Sequence, residues 1–311
     1  MNHAVVQVKQ PRLDHTMAKK PKHAVKAYRD LGFLLGPDAR PIRILAEFLE
    51  PASRFRRLRV RDTIVFFGSS KAESMRKVRA DLRAFEQRMQ HAKRVTSKIK
   101  AEGERLDMRL RLARYYEDAV ALAKMLTEWA RGLNEHHRFI IASGGGPGIM
   151  EAANLGAARG GGKSIGLNIS IPNEQEPNPY ISDGYGFEFH YFFMRKLWFV
   201  FLARAMVIFP GGFGTMDELM EVLTLVQTRK VTKKVAIVLY GSEYWNEVLD
   251  FDAMVRWTTL EPADLALFHR ADSPEEAFDY LKEHLVGDRA SEAPSRGNAE
   301  HRRRRRAKHS T

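Results

Sequence analysis

The stretch Pro210–Glu218, "PGGFGTMDE", follows an apolar run, "AMVIF" (205–209), and joins three glycines to a threonine and two acids. A glycine-rich turn that opens a helix lets backbone N–H groups converge on an anion, and the helix start adds partial positive charge. Gly211, Gly212 and Gly214 remove the side chains that would block approach, and Thr215 can cap the helix or donate its hydroxyl. Glu218 stands one turn beyond the loop, where a carboxylate can reach a sugar whose phosphate the loop holds. The bland alternative is favourable placement of acids at a helix start, which suits Asp217 better than Glu218. A second turn, "SGGGPG" with Gly144, Gly145 and Gly146, follows "RFIIA" (138–142), and a third, "GSS" (68–70), follows "TIVFF" (63–67). One such turn is an ordinary connection. Three at strand ends point to a nucleotide-sized ligand.

Two cations add to this. Arg195 and Lys196 open a helix that is otherwise apolar, "LWFVFLARA". Charges on a buried helix are costly without partners. They either emerge at the rim or face the crevice and meet an anion or Glu218.

Other chemistries fail on spacing. A dinucleotide fingerprint needs a glycine at 149, which is Ile, and an acid after the next strand, which ends in Asn168 and Ile169. "GGGKS" (160–164) lacks the first glycine of a phosphate-binding P-loop, since 157 is Ala, and lies between a helix and a strand in reversed order. It reads as a helix stop with a left-handed glycine cap. No cysteine is present, and neither H-x-x-x-H nor clustered acids occur, so no metal and no cofactor are expected.

The elements that must position these residues alternate. Strands are expected at 63–67, 138–142, 163–169, 187–191, 205–209 and 235–240. A long helical stretch is expected at 73–129, broken near Gly103, with further helices from Phe193, from Thr215, and near 244–256 and 274–286. Continuously apolar strands separated by helices mean a buried parallel sheet. The expected fold is α/β, a Rossmann-like doubly wound parallel sheet with helices on both faces. Such sheets bind ligands beyond the carboxyl ends of their strands, so the three turns should line one crevice.

Charge separates the ends from this core. Residues 1–60 hold 13 Lys and Arg against 5 Asp and Glu; residues 288–311 hold 8 against 3; the remaining 61–287 hold 30 of each. The basic character is therefore terminal, and nucleic acid is expected at most as a weak partner of the arginine-rich tail. Residues 1–60 form a partly disordered extension with a helix at 41–50, started by Pro41 and closed by Pro51. Ile42, Leu45, Phe48 and Leu49 share its face. Met17 is an alternative start to Met1. Residues 61–287 are expected to form the Rossmann-like domain that carries the glycine turns, and 288–311 a disordered tail. No run of eighteen apolar residues and no signal peptide are seen, and a cytoplasmic location is expected.

"SGGGPGIMEAANLGA", "MRK" and "PGGFGTMDE" resemble the signature of the LOG (Lonely Guy) family, nucleoside 5′-monophosphate phosphoribohydrolases often mislabelled lysine decarboxylases. The resemblance covers about residues 61–286, and "IGLNISIPNEQEPNPY" and the N-terminal helical extension look like the longer bacterial members. It implies that Arg195 and Glu218 are the catalytic pair and that Lys196 contacts substrate. It implies a phosphate loop of Gly211, Gly212, Phe213, Gly214, Thr215, Met216 and Asp217, with Thr224 further along the helix. Gly144, Gly145 and Gly146 would complete the crevice, and Glu174 would lie near the base or ribose. The implied reaction releases the free base, from AMP or a cytokinin riboside monophosphate, and the implied assembly is a homodimer or larger homo-oligomer. Decarboxylation would need a Schiff-base lysine, and none has a recognisable setting. The alternative is a nucleotide-binding or sensing module of the same fold that does not cleave its ligand.

Overall fold

The computed structural model describes residues 24–91, 94–133, 139–171 and 176–292. Glu174, the residues before 24 and the arginine-rich tail after 292 lie outside the described residues. The chain divides into two units, with the boundary between Ala46 and Glu47. In the first, α1 (Leu31–Leu35) is capped by the Asp30 carboxylate, which accepts from Phe33 N–H, and α2 (Arg40–Arg57) begins.

The second unit takes up α2 at Glu47 and alternates β1 (Thr63–Phe67), α3 (Met75–Gln90), α4 (Ser97–Gly132), β2 (Ile140–Ser143), α5 (Ile149–Arg159), β3 (Ser164–Ile169), β4 (Gly186–Phe189), α6 (Phe192–Leu202), β5 (Ala203–Ile208), α7 (Phe213–Gln227), β6 (Ala236–Tyr240), α8 (Ser242–Val248), α9 (Phe251–Arg256), β7 (His269–Ala271) and α10 (Pro274–Glu292). The sheet is parallel throughout, in the order β4-β3-β2-β1-β5-β6-β7. Chain order reverses direction on either side of β1, which is where an open α/β sheet leaves a crevice.

Both faces of the sheet are covered, as continuously apolar strands require. Ile64 and Phe66 of β1, with Val207, Val238 and Tyr240, pack against α4, α5 and α10. From the alternate positions, Phe67 meets Phe199 of α6 edge-on at 4.8 Å, and Phe187 of β4 stacks on Phe55 of α2 at 4.5 Å.

Three expectations are corrected. First, Pro51 does not close the N-terminal helix, because α2 continues to Arg57. A proline inside a helix frees the carbonyl four residues back. That carbonyl, Glu47 O, accepts the Trp198 indole N–H at 3.1 Å instead. Second, the long helical stretch is two helices, α3 ending at Gln90 and α4 starting at Ser97, and Gly103 lies inside α4 facing Phe85 of α3. Third, a seventh strand, β7, closes the sheet edge with only three residues, one fully buried. Its sequence, "HRA", has no apolar run to announce it. The glycine stop at 160–162 is as expected: Gly160 caps α5 and Gly161 takes φ +70°.

Candidate active site

The three glycine or serine turns follow β1, β2 and β5, neighbours in the sheet, and hydrogen bonds tie them together. Ser69 N–H donates to Pro210 O at 2.9 Å, and Ile149 N–H donates to Ser69 O at 3.1 Å. Between them lies a cavity of about 410 Å³ lined by Gly68, Ser69, Gly144, Gly146, Gly212, Gly214, Thr215, Arg195 and Glu218. Its apolar wall is Met150, Ile169, Ile171, Phe192 and Phe199, with Asn168 as a polar insert.

α7 starts on this cavity without a side-chain cap. The N–H groups of Thr215 and Met216 turn back to Gly212 O, whereas those of Gly212 and Gly214 find no backbone acceptor among the described residues. They are orphan donors of a helix start, aimed where the partial positive charge is greatest. Thr215 and Glu218 are three residues apart on one face of α7, and both are buried against the cavity.

α6 supplies the cation. Its start is fixed by Glu47, whose carboxylate accepts from His190 N–H at 2.8 Å and Tyr191 N–H at 3.2 Å. One turn in, the Arg195 guanidinium lies over the rings of Phe192 and Phe199, 5.3 and 5.7 Å from their centroids. Its Nη2 is 4.0 Å from Glu218 Oε1, and its buried Nε has no hydrogen-bond partner among the described residues. Burial pulls the Arg195 pKa below its ordinary value, against the opposing pull of Glu218, Asp217 and Glu188. Burial also pushes Glu218 up to about 7, against Arg195 and Lys196. The pair is thus short of counter-charge and of hydrogen bonds. A phosphate or a cationic sugar placed between them would supply what each lacks.

The remaining candidates divide. Lys196 does not line the cavity; it pairs with Asp217 at 2.8 Å and Glu221 at 2.9 Å. Burial opposes its charge, but those two hydrogen bonds outweigh it and hold the pKa above the usual lysine value. Phe213 is 95 % exposed and points away from the cavity, and Met216 does not line it either. Gly211 lies behind the loop, its carbonyl accepting from Tyr244 OH at 2.6 Å. Thr224, further along α7, is exposed and donates to Met220 O at 2.7 Å, so it takes no part in the cavity. Gly145 turns its polar groups inward, while Gly144 and Gly146 face the cavity.

Several groups escaped sequence reasoning. Phe192 and Phe199 stand three before and four after Arg195, a helical spacing that places them over its guanidinium and was there to be read. The buried amides Asn154, Asn168 and Asn178 carried no signal, because their partners, backbone carbonyls and one another, are distant in sequence.

Residues 150–281, which include Arg195 and Glu218, match a family described as "possible lysine decarboxylase". A probable cytokinin riboside 5′-monophosphate phosphoribohydrolase of Oryza sativa subsp. japonica is 29 % identical over 177 residues, covering 55 % of this chain and 77 % of its own. A cytokinin riboside 5′-monophosphate phosphoribohydrolase of Arabidopsis thaliana is 27 % identical over 176 residues, covering 55 % and 75 %. Over these residues the chain is similar to phosphoribohydrolases of the LOG type. The molybdenum cofactor carrier protein of Chlamydomonas reinhardtii is 17 % identical, covering 73 % of this chain and 99 % of its own, at a TM-score of 0.39. A likeness that distant adds nothing to the sheet already described. Among the described residues, no helix is long and apolar enough to cross a membrane, and no group of three His, Asp or Glu is placed to hold a metal.

Proposed function

We propose that the protein hydrolyses the N-glycosidic bond of nucleoside 5′-monophosphates, AMP or a cytokinin riboside monophosphate, to the free base and ribose 5-phosphate. The observation that carries this reading is the buried Arg195–Glu218 pair, facing one cavity with the orphan donors of the Gly212–Thr215 turn. The phosphate sits on those donors and the Thr215 hydroxyl, with Arg195 as its counter-charge. The ribose then lies over Glu218.

As the bond from C1′ to the base nitrogen breaks, its electrons leave with the base, which takes up a proton, and positive charge develops on the sugar ring. The Glu218 carboxylate stabilises that charge and takes a proton from the water that bonds to C1′. A pKa of about 7 in the free protein suits a group that must be ionised to act yet able to accept a proton. Arg195 holds nucleotide and carboxylate together through its planar fork. The apolar wall of Met150, Ile169 and Phe192 is a surface for the base.

Lysine decarboxylation finds no support in the same residues. A Schiff-base lysine must lose its proton to attack. Lys196 is kept charged by two acids, and Lys71 stands exposed at the rim. The expected homo-oligomer belongs to this reading, and sedimentation of the purified chain measures it. The deciding experiment is incubation with AMP and chromatographic detection of adenine. Release of adenine in step with ribose 5-phosphate is expected; tight AMP binding with no adenine would replace the enzyme with a binding module.

A further inference from the structure

We propose that Asn178, in the loop between β3 and β4, is a positioning residue for the Gly144–Gly146 turn, and that it fixes the Gly146 N–H as a donor into the nucleotide cavity. The ligand is that of the functional reading above; the mechanism is geometric.

Asn178 is 6 % exposed. Its Nδ2 lies 3.0 Å from Gly145 O, 3.0 Å from Gly146 O and 2.9 Å from Asn154 Oδ1. Its backbone N–H also donates to Gly145 O, at 2.8 Å. The amide has one orientation, because its Oδ1 accepts from Tyr180 N–H at 3.1 Å and so turns Nδ2 to the glycines. Asn154 is fully buried; its Oδ1 also accepts from Ser143 Oγ at 2.7 Å, and its Nδ2 donates to Ile165 O at 3.3 Å. Ser143 Oγ in turn accepts from Gly145 N–H at 3.1 Å. Three side chains from β2, α5 and the loop after β3 thus converge on one peptide turn.

A trans peptide is planar, with its C=O and N–H directed oppositely. Drawing the Gly145 carbonyl to Asn178 therefore turns the Gly146 N–H away from the network. Gly146 lines the cavity, and its N–H has no backbone acceptor among the described residues. Gly145 itself takes φ +74°, and a Cβ there would run into the Asn168 amide, so the turn has little room to relax. Only a side chain with an NH₂ group can face two carbonyl oxygens at this point. An acid in its place would set oxygen against oxygen.

The test is Asn178→Asp, nearly unchanged in shape, compared with the wild-type chain in three measurements. KM for AMP hydrolysis and the calorimetric Kd for AMP should each rise about tenfold, the weight of one misdirected hydrogen bond. kcat and its pH profile should stay within about twofold, because Glu218 and Arg195 sit on other elements. A merely structural role would lower the active fraction and hence kcat, leaving KM alone. Without nucleotide, amide hydrogen exchange in the peptide spanning Gly144–Gly148 should quicken about tenfold. Unchanged KM, Kd and exchange in a folded Asn178→Asp protein overturns the inference, as does a loss confined to kcat. Should Asn178→Asp fail to fold, Ser143→Ala removes the acceptor of Gly145 N–H and is read by the same measurements, with the same outcomes. Absence of AMP turnover in the wild type refutes the functional reading alone, since the binding and exchange measurements still decide the role of Asn178.

Discussion

Replacing Glu218 by glutamine keeps the shape of the side chain and removes its charge, and the structure gives opposite signs for the effects on stability and on rate. Glu218 is 5 % exposed, and burial lifts its pKa from 4.5 to about 7 despite Arg195 at 4.0 Å. A rise of that size penalises the ionised form in the folded state by about 3 kcal/mol. Because the folded pKa lies above the unfolded one, the native protein binds more protons than the unfolded chain between pH 4.5 and about 7. Its stability is therefore fullest below 4.5 and falls as pH rises through that window. Glu218→Gln abolishes this dependence. At pH 8 it should gain stability, by about 1–2 kcal/mol once the buried Arg195 has lost its nearest carboxylate; at pH 4 it should gain nothing. The rate moves the other way. Without a carboxylate to stabilise the sugar cation and take the water's proton, turnover of AMP should fall about 10²–10³-fold. In the wild type, kcat/KM should climb with pH and level off above about 7, as Glu218 ionises. Adenine release measured from pH 5 to 9, beside urea unfolding of both proteins at pH 4 and 8, checks each part. Near-normal turnover in Glu218→Gln, or an acid limb that survives the substitution, would refute the role given to this carboxylate.

Adenosine should be at least about a hundredfold poorer than AMP in kcat/KM, since a neutral 5′-hydroxyl cannot use the helix-start donors and loses the positioning energy of the phosphate; equal efficiency at low substrate would show that the Gly212–Thr215 turn holds no phosphate. Arg195→Lys should lower kcat/KM by about tenfold or more, because an ammonium has no planar fork to bridge phosphate and Glu218 or to spread over Phe192 and Phe199, and steady-state kinetics with AMP reads it. Two neighbouring glycines should respond differently to alanine. At Gly211 a Cβ would strike the Thr215 side chain, and unfolding experiments should show a loss of about 1–3 kcal/mol, whereas Gly212 has open space around it and should keep its stability while AMP binding weakens.

The sheet was legible because its central strands are apolar on both faces. "TIVFF" became β1 without a shift of boundary, and the turns at 68, 144 and 211 fell on one crevice, as strand polarity demands. Elements defined by tertiary partners were not legible. β7 is three residues long and half-polar, and exists because β6 offers it an edge. α2 ignores Pro51 because Trp198, far along the chain, satisfies the carbonyl that the proline frees. Within the site, the glycines, Arg195 and Glu218 announced themselves by spacing. The inward turn of Gly145, the outward turn of Phe213 and the diversion of Lys196 to Asp217 and Glu221 did not, since each depends on which way a side chain or peptide faces.

The place of β1 in the sheet has a consequence for synthesis on the ribosome. β1 leaves the exit tunnel before either neighbour exists: β2 begins at Ile140 and β5 at Ala203. At about 5–20 residues per second, both edges of this apolar strand stay unpaired for several seconds, and one of them for about ten. Open strand edges recruit other chains, so the nascent protein is most exposed to aggregation in that interval. The glycine-lined cavity, whose walls hang from all three strands, can first form only when β5 and the turn after it have been made.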